Sequence, residues 1–162
     1  VFDDKSGRPV SGYIFGPKMA YRVFEQNLTT GKPVTASIPH QNEDKPENVV
    51  DGWVDISKYW GAHPGPQWWK VDLQKEYTID RVQVIPYWDG VRYYQYTVEV
   101  STDGESWKHV VDDSKNTTPE TEKGRLHKFE AAKARYIRVN MLKNSDNPAV
   151  HLVEVRAYEA GK

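Results

Sequence analysis

The 162-residue sequence has no cysteine, two methionines, and no apolar run near the ~18 residues that a bilayer-crossing helix needs. Without cysteine there is no disulfide framework and no thiol chemistry, although the compartment stays open. An excess of one charge is missing too. Twenty-two basic residues stand against 23 acidic ones, a formal net charge of −1, so neither nucleic acid nor an anionic membrane is an expected partner. No signal peptide is visible and the chain opens on Val1, which leads us to expect a piece of a longer protein. The sequence contains no G-x-S-x-G, no H-E-x-x-H, no Gly-rich phosphate loop and no Cys nucleophile. Asp112-Asp113 reads as a solvated turn. No constellation for catalysis is recognisable, and the expectation is that the chain is not an enzyme.

The chain does have aromatic residues in quantity: 12%, with six Trp and ten Tyr. Many of these suit the core and faces of a β-sheet, and the surplus has to lie outside. The dominant periodicity is two. Trp69, Val71 and Leu73 alternate with Trp68, Lys70 and Asp72. Val82 and Val84 alternate with Arg81 and Gln83, and Tyr96, Val98 and Val100 with Thr97 and Glu99. Ile137, Val139 and Met141 form another set, as do Val153, Val155 and Ala157 against Glu154 and Arg156. Asp103-Gly104 is a hairpin turn leading to Trp107 and Val110. Trp60, Trp69 and Trp107 read as core framework. No apolar stripe at helical spacing is sustained, and ten prolines punctuate the chain. The fold class is all-β, a sandwich of about eight main strands. Residues 1–26 read as a linker or docking arm from a preceding domain, and residues 27–162 as the domain itself.

Four loops carry candidate chemistry. Pro86-Tyr87-Trp88-Asp89-Gly90-Val91-Arg92-Tyr93-Tyr94 combines aromatic plates with an acid and a base. A saccharide offers a weakly apolar C–H face fringed by hydroxyls, which calls for this mixture. Trp88, beside the Asp89-Gly90 turn, is expected at the surface, with Tyr87, Asp89 and Arg92 around it. His63 in the loop 60–66 and Asn147 in the loop 144–148 are further candidate sugar contacts, although Asn and Asp there also serve as turn formers. His151 reads as structural. In Asp51-Gly52-Trp53-Val54-Asp55-Ile56-Ser57, two carboxylates, a hydroxyl and a glycine turn suit Ca²⁺, which takes six to eight oxygens; they also suit an ordinary polar turn.

The order of these pieces, from Asp51-Gly52 through Trp68-Trp69-Lys70-Val71-Asp72-Leu73 to Tyr96–Gly104 and Trp107, resembles the discoidin or coagulation factor V/VIII type C domain. Among bacterial proteins it is most similar to family-32 carbohydrate-binding modules. The resemblance, over residues 27–159, implies a galactose-binding-domain-like jelly-roll sandwich that binds a glycan without catalysis. It further implies a structural Ca²⁺ held by the carbonyls of Asn48 and Trp53, by Asp51, by Ser57 and by Glu154. The longer spacing from Asp51 to Trp60 leaves Asp55 as the alternative to Ser57. In galactose-binding members an Arg follows the proline where Tyr87 stands here. Arg92 matches a framework Arg that pairs with a carboxylate, so ligand contact and framework pairing are both open for it. The resemblance also implies a monomer fused to a catalytic domain of a secreted bacterial carbohydrate-active enzyme, with no membrane insertion. The competing reading is a spacer domain that packs against a catalytic domain and binds no ligand.

Overall fold

The computed structural model describes residues 26–39 and 42–162, so the arm expected over residues 1–26 lies outside it apart from Gln26. The described residues form seven strands: β1 (Val34–Ala36), β2 (Trp60–Ala62), β3 (Gln67–Pro86), β4 (Tyr94–Ser101), β5 (Lys108–Asp113), β6 (Arg125–Asn144) and β7 (Val150–Glu159). One short 3₁₀ helix, Pro46–Val50, precedes β2. Every ladder is antiparallel, in the order β2-β7-β3-β6-β4-β5, with β1 added beside β3.

Two 20-residue strands, β3 and β6, explain why seven strands make a sandwich. They pair with one another along most of their length, and the register breaks between Asp72 and Tyr77. On one side of the break, residues 67–72 of β3 and 136–141 of β6 lie between β1 and β4–β5. On the other side, residues 77–86 of β3 join β7 and β2. Each long strand thus passes from one layer to the other at an irregularity, a known way of turning a sheet's corner. The sequence supplies the bend locally. Gln74 adopts φ 70, and its N–H is held by Asp72 Oδ1 at 2.7 Å.

The alternation keeps its phase across the first break and resets at the second. Trp69, Val71, Leu73 and Ile79 point inward, and after the second irregularity, between Ile79 and Arg81, Val82 and Val84 do so. The core between the layers also takes Trp60, Tyr94, Tyr96, Ile137, Val139, Met141 and Leu152. Trp69 Nε1 donates to the Pro46 carbonyl at 3.0 Å, fastening the 3₁₀ helix to the core. Trp60 and Trp69 are fully buried as expected, whereas Trp107 is only half-buried, with the Arg138 guanidinium 4.0 Å from its ring centre. Residues 152–155 of β7 are buried on both faces, so Glu154, which alternation places outside, is inside. No helix among the described residues is long and apolar enough to cross a membrane.

Gly124, at φ +57 just before β6, sits where a Cβ would collide with the Val84 carbonyl oxygen and lie 2.8 Å from Ile85 Cα. Backbone cannot yield as a flexible side chain can. Gly90, at φ +85 in the β3–β4 loop, has open space around it. Gly124→Ala should therefore cost about 3 kcal/mol or more of unfolding free energy, and Gly90→Ala about 1 kcal/mol from the left-handed backbone alone. Urea denaturation of both variants measures this, and equal losses would contradict the close approach.

Candidate functional site

The ends of five strands converge on one rim of the sandwich. Pro86 at the end of β3 pairs with Leu152, Tyr94 at the start of β4 with Asn144, and Gly61 of β2 with His151. The loops between them are cross-tied. Gly65 N donates to the Pro148 carbonyl at 2.8 Å, Ser145 N to the Tyr93 carbonyl at 3.0 Å, and Gly61 N to the Asp44 carbonyl at 3.4 Å. In the β2–β3 loop the His63–Pro64 and Gly65–Pro66 peptide bonds are cis.

The β3–β4 loop is organised by Asp89. Its Oδ1 accepts from Val91 N at 3.0 Å and Arg92 N at 2.8 Å, and its Oδ2 accepts from Arg92 Nε at 2.7 Å. These backbone donors, then the Arg92 side chain, pull the carboxyl down to about 2. Arg92 also reaches Asp146 Oδ2 at 3.2 Å, and its side chain is only 16% exposed. The guanidinium lies 4.9 Å from the centre of the Tyr87 ring. Arg92 thus takes the framework role, pairing with two carboxylates, while it also backs the Tyr87 face.

The Tyr59 ring meets Tyr87 edge to face, and the His151 ring is tilted against it by 51°. Tyr59 lies at 5.6 Å between centroids and His151 at 5.8 Å, with 5.3 Å between Tyr59 and His151. Burial, with a smaller push from Arg92, lowers the His151 pKa to about 4, so the imidazole is neutral at pH 7. The Tyr94 hydroxyl, whose pKa burial raises, shares a hydrogen bond with His151 Nδ1 at 2.6 Å. Beside this cluster is a hollow of about 110 Å³ lined by Ile38, Asp44, Ala62, His63, Ala149 and His151. Burial raises the pKa of Asp44.

The structure therefore brings His63 to the hollow and joins Tyr87, Asp89 and Arg92 in one network, which borders the hollow through His151. Trp88 belongs to the same loop but is half-buried, not the bare plate expected. The most open indole is Trp53, 72% exposed, in the loop after the 3₁₀ helix. Asn147 spends its amide inside its own loop: Oδ1 accepts from Asn144 Nδ2 and Ala149 N, and Nδ2 donates to Asp146. Sequence reasoning missed Tyr59 and Asp44 as rim groups. Both stand outside the aromatic-acidic loop, and only the fold brings them in.

The loop read as a calcium site folds around Asp51, whose Oδ1 accepts from Trp53 N at 2.8 Å. Glu154 is 0% exposed, and its Oε2 has no hydrogen-bond partner among the described residues. Burial pushes its pKa up to about 8, and the charge of Asp51 adds to the rise. Asn48 Nδ2 donates to the carbonyls of Glu43 and Tyr59, at 2.7 and 2.9 Å. The Ser57 hydroxyl donates to Asp55 Oδ1 at 2.7 Å, so the two alternatives for that ligand are bonded to each other in an exposed turn. The described residues hold no cluster of three or more His, Asp or Glu side chains arranged for a metal. The expected ligand set has two carboxylates, with carbonyls and a hydroxyl supplying the rest.

No curated protein matches the chain. Among solved structures, it is similar to the family-32 carbohydrate-binding module of AlyQ in complex with 4,5-unsaturated mannuronic acid. Identity is 28% over 83% of this chain and 99% of that one, with a TM-score of 0.71. It is also similar to truncated AlyQ carrying that module and an alginate lyase domain, at 27% identity and a TM-score of 0.71. That match covers 86% of this chain but only 35% of the other. A third is chitosan-binding module 1 from a chitosanase/glucanase of Paenibacillus sp. IK-5, at 25% identity, 82% and 98% coverage and a TM-score of 0.67. Residues 33–155 match the F5/8 type C domain. With the sandwich, its sheet order and this span in agreement, the chain belongs to the F5/8 type C, or discoidin, domain family.

Proposed function

We propose that this chain is a non-catalytic carbohydrate-binding module, an accessory domain that holds a secreted bacterial carbohydrate-active enzyme on its glycan. The observation that carries the reading is the rim cluster. The Tyr87 ring is clamped by Arg92, Tyr59 and His151 beside a polar hollow that holds Asp44 and His63. A ring fixed in this way loses little side-chain entropy when it meets a sugar face, and the surrounding polar groups take hydroxyls. The likeness to isolated sugar-binding modules and to a lyase-linked one supports both the binding role and fusion to a catalytic domain. A small polar hollow suits one monomeric module binding one sugar unit.

The electrostatics narrow the sugar. Arg92 is committed to Asp89 and Asp146, and Asp44 places a carboxyl in the hollow. Among the described residues a uronate carboxylate would find no free cation there, whereas hydroxyl- or amino-bearing pyranoses would find acceptors. Neutral or amino sugars are the expected class.

A Ca²⁺ ion fits the Asp51 loop. Glu154 Oε2 is a buried oxygen without a donor, next to a second carboxylate, and a hard cation satisfies both. Asp51 and Glu154 would hold it with the carbonyls of Asn48 and Trp53, and Ser57 or Asp55 would complete the set. The ion would neutralise the buried charge and tie the loop to β7, a structural role.

The spacer reading retains one supporting observation: Trp53 and Val54 stand exposed side by side, as a protein-facing contact would require.

Titration calorimetry against a panel that includes chitosan, alginate and pectin oligosaccharides tests the rim. The wild type should bind a neutral or amino sugar with modest affinity, each hydrogen bond contributing about 0.5–1.5 kcal/mol net. Tyr87→Ala should weaken binding about tenfold without moving the melting temperature by more than a few degrees. Silence of the wild type across the panel favours the spacer. For the ion, thermal melts with Ca²⁺ and with a chelator should differ, by about 2.7 kcal/mol at 100 times Kd, and Glu154→Gln should erase the difference. An identical melt under both conditions rules the calcium site out.

A further inference from the structure

The outer face of the layer formed by β3, β6, β4 and β5 carries a groove that the rim does not use. Strand pairing sets its side chains in two adjacent rows. Trp68, Asn140 and Thr97 stand side by side across three strands, and Arg138, Glu99 and His109 do so in the next row. Leu142 closes one end with its side chain exposed. The cavity is about 510 Å³, against about 110 Å³ for the rim hollow. It lies within the range of ~300–1,000 Å³ typical of ligand sites.

The floor of this groove is fixed. Glu99 Oε2 accepts from Arg138 Nε at 2.9 Å, Arg138 Nη2 at 2.7 Å and Asn140 Nδ2 at 2.9 Å, and its Oε1 faces His109 Nε2 at 2.9 Å. Asn140 Nδ2 also donates to Thr97 Oγ1 at 3.1 Å. Arg138 is stacked on Trp107 from behind. With these bonds made, several groups have no partner among the described residues: Arg138 Nη1 and the Thr97 hydroxyl proton as donors, Asn140 Oδ1 as acceptor, and His109 Nδ1.

That remainder selects a ligand class. Free donors and acceptors alternate around one indole, which matches a molecule whose hydroxyls both give and take hydrogen bonds and which also has an apolar face. Nucleic acid is disfavoured, because Glu99 neutralises the Arg138 charge within the groove. A peptide adding as a strand needs a free sheet edge, and this is a sheet face. The groove runs across several strands instead of closing around one ring, so it fits a stretch of chain better than a chain end. The geometry points to a second glycan site on this face, taking the interior of an extended polysaccharide, with Trp68 as the stacking plate and Arg138, Asn140, Thr97 and His109 as its hydrogen-bonding fringe. The inference rests on the carbohydrate-binding reading of the domain. Two sites on one molecule give polymer binding an avidity that short sugars lack.

The test uses the polysaccharide that the oligosaccharide panel selects, as polymer and as disaccharide, titrated into four proteins: wild type, Tyr87→Ala, Trp68→Ala, and the exposed pair His109→Ala/Leu142→Asp. The exposed pair keeps the test valid if Trp68→Ala fails to fold. The expected result is that Tyr87→Ala weakens disaccharide binding about tenfold but retains measurable polymer binding. Each face variant should keep wild-type disaccharide affinity while losing about tenfold in polymer affinity. If Tyr87→Ala abolishes polymer binding and both face variants match wild type, the second site is overturned and the rim reading stands. If the wild type binds neither form of any polysaccharide in the panel, the carbohydrate reading falls and this inference falls with it.

Discussion

Everything functional on this domain hangs from the pairing of β3 with β6. Each is 20 residues long, they run antiparallel, and they share a register break that carries them from one layer into the other. Because the same two strands belong to both layers, their ends cannot move independently of the core that Trp69, Val71, Ile137 and Val139 fill. β3 ends in the Tyr87–Arg92 loop, and β6 ends, at the opposite end of their antiparallel ladder, in the loop carrying Asp146. The ion pair from Arg92 to Asp146 ties together the loops that follow the two long strands. A contact of this kind adds little energy at a wet surface, but it removes freedom from a ring that must wait in one orientation.

The sandwich was largely legible because alternation survives wherever a strand is covered on one face. Trp69/Val71/Leu73, Val98/Val100 and Ile137/Val139/Met141 all point as period two requires. What alternation hides is continuity. Trp69–Leu73 and Val82–Val84 read as separate short strands because the inward positions change parity, and the cause is an irregularity inside a single strand. Glu154 failed differently. Its neighbours alternate correctly, but the 3₁₀ helix and the loop after it cover the face that period two assigns to solvent. No local pattern reports a covering element that is distant in sequence.

The rim was half legible for the same reason. The Pro86–Arg92 loop announces itself by composition, and its acid and base do meet. Composition could not say that Arg92 would turn toward two carboxylates, or that Trp88 would be half-covered while Trp53 stands open. Exposure of an aromatic is decided by what packs over it, and Tyr59, His151 and Asp44 arrive at the rim from three other segments. Asn147, read both as a sugar contact and as a turn former, uses its amide to close its own loop.

The two candidate surfaces differ in how they obtain rigidity, and the difference bears on what each can hold. At the rim, order comes from loops laced together by a few side-chain bonds around one clamped ring, which suits a small ligand portion that fills a hollow. On the sheet face, order is inherited from the backbone ladder itself. Trp68, Asn140 and Thr97 cannot separate without breaking strand pairs, and Glu99 locks the adjacent row by accepting from Arg138 and Asn140 while facing His109. A surface preorganised in this way pays little entropy on binding even though it is shallow and open. A shallow, rigid face with donors and acceptors spread over several strands discriminates poorly against any one sugar but tolerates a long one. The rim, with its single carboxyl-bearing hollow, discriminates well and tolerates little. Specificity at one end and chain-holding along the side follow from the same constraint, a pair of strands long enough to belong to both layers.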